Sequence, residues 1–149
     1  MKLNSHILRE VGSLTRSIHA IVEVRFKELH LQKGQSIYLT RICEKPGINL
    51  IQLSSLLKVD KTTTTKVVQK LIKEDFILKR KDDDDKRSYR LYPTSKALRT
   101  YDELIKEENR VIDMCYRDLD EEQKKLAYEL IRKMKENIET NWLKIKNYK

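Results

Sequence analysis

Glycine, proline and cysteine are all scarce in this chain of 149 residues. The 3 Gly and 2 Pro favour long amphipathic helices over sheets or disorder. The 2 cysteines exclude a disulfide framework and are typical of a reducing compartment. Because no run of about 18 apolar residues is present and the N-terminus lacks the apolar stretch of a signal peptide, we expect a cytoplasmic protein.

Motifs for catalysis and for metal binding are absent as well. The sequence contains no Gly-rich phosphate loop, no Ser-His-Asp pattern and no HExxH motif. His6, His19 and His30 all belong to the first predicted helix, at spacings that do not converge on one metal ion. We therefore expect no enzymatic activity, no metal and no cofactor.

Charged residues are abundant, and the positive ones are in excess. Hydrophobic residues make up 39% of the chain and charged residues 37%, a balance that predicts a soluble and mostly helical protein. Lys and Arg number 32 against 23 Asp and Glu, which gives a formal net charge of +9. This excess is weak support for a polyanionic partner such as nucleic acid, because many soluble proteins are also basic.

The first half of the chain predicts three helices. Apolar residues keep helical spacing from about Leu3 to Leu31, and a shorter helix follows that Pro46-Gly47 terminates. Asn49 is a plausible N-cap for the third helix, and residues 58–60 form a tight turn after it.

A fourth predicted helix begins after Asp60, whose carboxylate can accept hydrogen bonds from the first turn, and extends to about Asp75. One face of this helix is expected to pack inward, and it carries Thr64, Val67, Val68 and Leu71. The opposite face offers hydrogen-bonding side chains, namely Thr62, Thr63, Thr65, Lys66, Gln69 and Lys70. Four consecutive threonines are poor helix formers, so their place in the first turn needs a reason. Either their short side chains contact phosphates and base edges of DNA, or threonine is simply tolerated near the N-terminus of a helix.

The second half of the chain predicts a hairpin and two long helices. Residues 76–81 and 88–92 read as strands, and the connecting residues 82–87 are too polar to bury. Thr94 can cap a helix that extends to about Leu119, and Asp120 can cap the last one. The apolar stripes of these helices and of the first helix exceed what the small central module can cover. They favour a symmetric dimer, with folding back on the monomer as the alternative.

This order of elements resembles the MarR family of bacterial transcription regulators over nearly the whole chain. The resemblance is most specific in LLKVDKTTTTKVVQKLIKEDFILKRKDDDDKRSYRLYPTSKA. The matching positions are Leu57, Val59, Asp60, Thr65, Lys66, Leu71, Ile77, Arg80, Asp85, Arg87 and Thr94, with Gln35 after the first helix. The chain departs from the family pattern at Lys58, Phe76, Pro93 and Ala97, and the first two stand where glycine is common.

The resemblance implies a mainly α fold, a winged helix-turn-helix module flanked by helices for dimerisation. The whole chain, 1–149, would be one domain, with the DNA-binding module at 33–93 and dimerisation helices at 1–31 and 94–149. It also implies a homodimer that binds double-stranded DNA at a near-palindromic operator, more often as a repressor than as an activator.

The implied contacts divide by groove. Lys66 would read the major groove together with Thr62, Thr63, Thr65 and Gln69. Arg87 suits the narrow minor groove, and Asp85 would pair with Arg87 and orient it. Phosphate contacts are expected from Lys61, Lys70 and Arg90. The acidic tip Asp82 to Asp84 opposes phosphate affinity, either as a solvated loop without function or as a device that lowers nonspecific binding.

Family members often bind small anionic aromatic effectors between the dimerisation helices and the DNA-binding module. The candidates near that junction are Arg16, His19 and Tyr38, and a satisfied interface without an effector explains these residues equally well. Two other functions stay open at this point. One is a winged-helix module that binds a partner protein, and the other is a thiol-based redox sensor using Cys43 or Cys115, although buried and inert thiols are the favoured interpretation.

Overall fold

The computed structural model describes the backbone of residues 1–147 and the side chains of residues 1–145. It confirms a mainly α winged-helix fold. The elements are α1 (Ile7–Glu28), α2 (Ser36–Glu44), β1 (Ile48–Asn49), α3 (Leu50–Leu57), α4 (Lys61–Lys73), β2 (Ile77–Lys81), β3 (Tyr89–Pro93), α5 (Ser95–Cys115) and α6 (Glu121–Asn147). The predicted dimerisation region ends at residue 149, and its last two residues lie outside the described part. None of the helices described is both long and apolar enough to cross a membrane.

The predicted helix caps are confirmed. Asn49 and Gln52 form a capping box at the start of α3, each side chain accepting from the other residue's backbone amide. Asp60 accepts from the amide of Thr63 at 2.8 Å, and Thr94 accepts from that of Ala97 at 3.1 Å. Each cap satisfies an amide that the first turn of a helix otherwise leaves unpaired, so these residues fix where the helices begin.

The sheet has three strands in the order β1-β3-β2, where the sequence predicted only a two-stranded hairpin. The additional strand β1 is two residues long and pairs antiparallel with β3, Ile48 opposite Leu91. Two residues are too few to show a period-two pattern, so no signal in the sequence marked this strand. The strand ties the segment that precedes α3 to the wing formed by β2 and β3.

One compact core lies under the helix-turn-helix and the sheet. Its most deeply buried large side chains include Leu39, Ile42, Leu53, Leu71, Phe76, Ile77 and Leu91. The predicted inward face of α4 is confirmed, since Thr64, Val68 and Leu71 are buried and Val67 is half-buried. This packing fixes the rotation of α4 about its axis and directs its other face toward solvent.

The outer helices leave most of their apolar side chains exposed. The first helix is shorter than predicted, Ile7–Glu28 instead of about Leu3 to Leu31, and only Val22 and Phe26 are buried along it. In α6 the exposed apolar side chains are Leu126, Tyr128, Leu130, Ile131, Met134, Ile138, Leu143 and Ile145. Apolar surface of this extent on long helices is typical of a protein-protein interface.

Candidate nucleic-acid interface

The solvent face of α4 carries the residues predicted to contact DNA. Lys61, Thr62, Thr63, Lys66, Gln69 and Lys70 are exposed and Thr65 is half-buried. The face therefore combines three ammonium groups, an amide and hydroxyl groups. An α-helix with its side chains is about 10–12 Å wide, which fits the major groove of DNA. The structure brings all seven predicted residues of this helix to one surface.

Three of the four threonine hydroxyls donate hydrogen bonds within the protein, which the sequence did not predict. Thr63 donates to the carboxylate of Asp60 at 2.7 Å, and Thr64 and Thr65 donate to the backbone carbonyls of Asp60 and Lys61 at 2.9 and 2.8 Å. The hydroxyl of Thr62 donates no hydrogen bond to another residue in the described part of the chain. Thr63 and Thr65 can therefore offer DNA their methyl groups and oxygen lone pairs, whereas Thr62 also has a hydrogen to donate.

Asp60 holds the first turn of this helix together. The amide and hydroxyl of Thr63 lower the pKa of the Asp60 carboxyl below its ordinary value of 3.8. A carboxylate with a depressed folded-state pKa contributes stability above its unfolded pKa and loses it as pH falls through the folded value. The cap is therefore fully formed at neutral pH.

Basic and aromatic side chains alternate on the wing. The Lys79 ammonium lies 3.9 Å from the centroid of the Tyr89 ring, and the Arg80 guanidinium lies 5.3 Å from that of Tyr92. These cation-π contacts hold long flexible side chains in place across the two strands. The wing thus presents positive charge in a fixed arrangement.

At the tip of the wing, Arg87 is exposed as predicted, but Asp85 acts on it differently. The Asp85 carboxylate accepts from the backbone amide of Arg87 at 3.0 Å. No ion pair joins the two side chains in the described structure. Asp85 therefore fixes the backbone of the turn and leaves the guanidinium of Arg87 free to extend from it, which corrects the predicted side-chain pairing.

Arg90 and Asp82 form a brace inside the wing, which corrects the prediction that Asp82 is solvated. The Nε of Arg90 pairs with the Asp82 carboxylate at 2.7 Å, and its Nη1 donates to the carbonyl of Gly47 at 3.0 Å. Arg90 is therefore engaged by the protein, and its contact with a phosphate stays a prediction. Asp82 is buried, with 8% of its surface exposed, and does not belong to the solvated tip.

The electrostatics of Asp82 agree with a structural role. The backbone amide of Asp84 and the guanidinium of Arg90 lower the pKa of the Asp82 carboxyl below its ordinary value of 3.8. The stabilisation from this group is therefore present at neutral pH and is lost only as pH falls below that value. Of the acidic run, only Asp83, Asp84 and Asp85 are exposed to solvent.

Replacing Asp82 by Asn is expected to loosen the wing without unfolding the protein. The neutral amide cannot form the ion pair with Arg90, so the backbone amides of Asp84 and of residue 82, which donates to the Ser88 carbonyl, should exchange with solvent faster. Hydrogen exchange at neutral pH measures this directly. The matched control is Asp83→Asn on the exposed tip, and equal exchange in both variants would contradict the brace.

Sequence reasoning did not assign a role to the C-terminal end of α4. Glu74, which follows the helix, accepts from the side-chain amides of Gln32 and Gln35 at 3.2 and 3.1 Å. Gln35 is 2% exposed and also accepts from the amide of Gln32 at 2.8 Å. These bonds attach the end of α4 to the loop between α1 and α2. The match of Gln35 to the family pattern was the only signal in the sequence.

The three residues predicted to contact an effector do not come together. Tyr38 is buried and its hydroxyl bonds to Thr64 under α4, so it belongs to the core. The Arg16 guanidinium lies beside Gly12 on the exposed side of α1. His19 alone borders a cavity of about 130 Å³ between α1 and α2, whose apolar lining includes Val22 and Phe26. Arg16 and Tyr38 do not line this cavity, and a role for them in effector binding stays a prediction.

The two cysteines differ in environment. Cys43 is half-buried, and burial raises the pKa of its thiol to about 11, which makes it a poor nucleophile. Cys115 is exposed at the end of α5, so the expectation of a buried thiol was wrong there. In the part of the chain described, His, Cys, Asp and Glu side chains form no cluster suited to a metal ion.

Comparison with known proteins identifies the family to which this architecture belongs. The model of the MarR family matches residues 31–89. A Bacillus subtilis (strain 168) protein described as an uncharacterized HTH-type transcriptional regulator, YybA, is 35% identical over 140 residues, which is 94% of this chain and 93% of that protein.

Solved structures agree. A MarR protein from Peptoclostridium difficile DA00132 has 51% identity and a TM-score of 0.92, covering 97% of this chain and 94% of its own. A MarR family transcriptional regulator from Listeria monocytogenes was solved in complex with 26mer DNA. It has 35% identity and a TM-score of 0.92, and the match covers 99% of this chain and 96% of the Listeria chain. With the winged helix and the exposed face of α4, these similarities show that the chain is a DNA-binding transcriptional regulator of the MarR family.

Proposed function

We propose that the protein binds a near-palindromic operator as a homodimer, with α4 in the major groove and the wing tip in the adjacent minor groove. The observation that carries this proposal is the solvent face of α4, where the predicted polar and basic residues are exposed on a helix fixed by its buried side. The similarity to a regulator that was solved with DNA adds support. A dimer places two such helices about 34 Å apart, one turn of DNA.

Individual residues divide into direct and indirect roles. Lys66 and Gln69 extend from the middle of α4 and read base edges, while Thr62, Thr63 and Thr65 contact the DNA near the start of the helix. Phosphates are bound by Lys61 and Lys70, and Arg87 enters the minor groove. Asp85 and Arg90 act indirectly, because the structure uses both to shape the wing.

Dimerisation follows from the helices outside the winged module. The apolar side chains of α6 are exposed along its length, and those of α1 are exposed toward its N-terminus. A second copy related by twofold symmetry covers the same surface on both subunits. The dimer would then repress transcription, because a protein that covers an operator excludes polymerase from an overlapping promoter. Such a regulator works in the cytoplasm, where the DNA is.

An effector would act at the cavity between α1 and α2 in this proposal. The cavity is mostly apolar and is bordered by His19, by Ser36 and by Gln32, whose side chain bonds to Glu74 at the end of α4. A small anionic aromatic compound would place its ring against the apolar lining and its charge beside Lys27 or Lys33, which also border the cavity. Its binding would move the loop that anchors α4 and so release the operator.

The proposal is tested by titrating labelled DNA from upstream of the protein's own gene against a scrambled duplex over a range of salt concentrations. We expect tighter binding to the upstream DNA, with an affinity that falls linearly with the logarithm of salt concentration. Equal and weak binding to both duplexes would contradict an operator upstream of the protein's own gene.

A further inference from the structure

The turn between α3 and α4 has an unusual residue for its backbone conformation. Lys58 follows α3 with φ 58° and ψ 38°, in the left-handed region, and its amide and that of Val59 bond to carbonyls in the last turn of α3. Glycine adopts this conformation without steric cost, whereas a side chain with a Cβ does not. A lysine here carries a backbone cost that glycine would avoid, while its side chain offers contacts that glycine cannot make.

The side chain of Lys58 connects the turn to the far end of the chain. Its ammonium forms an ion pair with Glu139 of α6 and donates to the carbonyl of Ser55 at 3.2 Å. The same ammonium lies 4.9 Å from the centroid of the Trp142 ring. Lys58 is 32% exposed and Glu139 39%, and the ammonium lowers the pKa of the Glu139 carboxyl. We call these three residues, Lys58, Glu139 and Trp142, the clasp.

The clasp lies directly beside the start of α4. Asp60, two residues after Lys58, is the cap that begins this helix. Trp142 and Ile145 line an open groove together with residues 58–62, so the last turns of α6 face the first turn of the DNA-reading helix. Any displacement of α6 relative to the turn would therefore move the end of α4 that we place at the operator.

We infer that Lys58 is a positioning residue for operator binding, which acts through Glu139 and Trp142 to fix α4 relative to the dimerisation helix α6. The inference rests on the proposed function, since it assumes a dimer that reads two half-sites. In such a dimer the distance and angle between the two copies of α4 decide whether both half-sites are bound together. A contact that couples α4 to α6 sets that geometry without touching DNA.

The test compares operator DNA carrying both half-sites with DNA carrying one. Lys58→Met removes the ammonium and keeps most of the stem, and Glu139→Gln removes the charge from the opposite side. The controls lie on the exposed polar side of α6, where Lys125→Met matches the change in net charge of Lys58→Met and Glu129→Gln matches that of Glu139→Gln. The first two variants should each lose affinity for the full operator by about 10-fold relative to the matched control, and the double variant should lose no more than either. Affinity for one half-site should match the controls in all of them.

Lys58→Gly guards against a misfolded turn, because glycine fits the left-handed backbone while it removes the side chain. This variant should fold at least as well as the wild type and still lose affinity for the full operator. The single tryptophan of the sequence gives an independent readout. Loss of the ammonium beside Trp142 should change its fluorescence emission in Lys58→Met, but not in Lys125→Met.

Three outcomes overturn the inference. One is wild-type affinity for the full operator in the Lys58 and Glu139 variants. Another is an equal loss on full and half operators, which would make Lys58 a direct phosphate contact. The third is a wild-type protein that prefers no DNA sequence, which would also overturn the proposed function. The first two leave the proposed function intact, so the two failures are distinguishable.

Discussion

Replacing Lys66 by Ala is expected to relax the sequence preference of the protein at a cost of about 1 to 3 kcal/mol in operator binding. Lys66 is exposed in the second turn of α4, between the half-buried Thr65 and Val67, and its ammonium can reach acceptors on base edges in the major groove. Without it, the preferred base at one position of each half-site loses its partner. Operators changed at that position should then bind the variant as well as the unchanged operator.

Lys70→Ala is the matched comparison, because it removes the same charge one turn later on the same exposed face. If Lys70 contacts a phosphate, this variant should weaken binding to all sequences similarly and reduce the salt slope by about one. Affinities of both variants for a set of single-base operator changes, measured at several salt concentrations, separate the two roles. Unchanged discrimination in Lys66→Ala would show that the groove assignment is wrong.

Introducing two carboxylates into the apolar stripe of α6, by Leu130→Glu with Ile138→Glu, is expected to separate the dimer. Both side chains are more than half exposed in the single chain, at 51% and 65%, and lie on one face of the helix with Met134 between them. In a dimer this face is covered, and burying an unpaired carboxylate is strongly unfavourable. The variant should be a folded monomer by light scattering.

Loss of the dimer should remove most operator affinity, because each half-site must then be bound alone. Joining two binding events raises the overall affinity on the order of 100-fold or more, so a loss of at least that size is expected. Lys125→Glu changes the net charge by the same two units on the opposite side of α6 and should remain dimeric. A double variant that stays dimeric, or a monomer that keeps full affinity, would contradict the role of α6.

Local features of the fold were predictable from the sequence because their causes lie within a few residues. Helix caps are one example: a side-chain oxygen accepts from an unpaired amide two or three residues later, whatever the rest of the fold. This is what Asn49, Asp60 and Thr94 do for the helices that follow them. The two faces of α4 followed from helical periodicity, and the buried Thr64 and exposed Lys66 agree with it.

Contacts between distant residues were not predictable in the same way. Whether Arg90 meets a phosphate or Asp82 depends on the register of β2 and β3 and on the path of the loop between them. The nine residues of α2 give too few turns to decide which side of the helix Tyr38 occupies. The strand β1 forms only because β3 offers it a free edge.

The DNA-binding face likewise has local features that the sequence predicted and distant contacts that it did not. The residues on α4 came from one helix and one periodicity, so the sequence placed them together. The attachments at the two ends of that helix, Gln35 with Glu74 and Lys58 with Glu139, join residues 39 and 81 positions apart. No local pattern reports such pairs. They add contacts at both ends of α4 to the packing of its buried side, so the structure adds most where distant residues meet.

Selection of bound sequences from random DNA by the purified wild-type protein shows whether two α4 helices read a symmetric operator. A dimer that presents two copies of α4 should enrich an inverted repeat whose half-site centres are about one helical turn, roughly 34 Å, apart. Enrichment of no common sequence, or of a lone half-site without a symmetric mate, would contradict the claim that paired α4 helices read a near-palindromic operator.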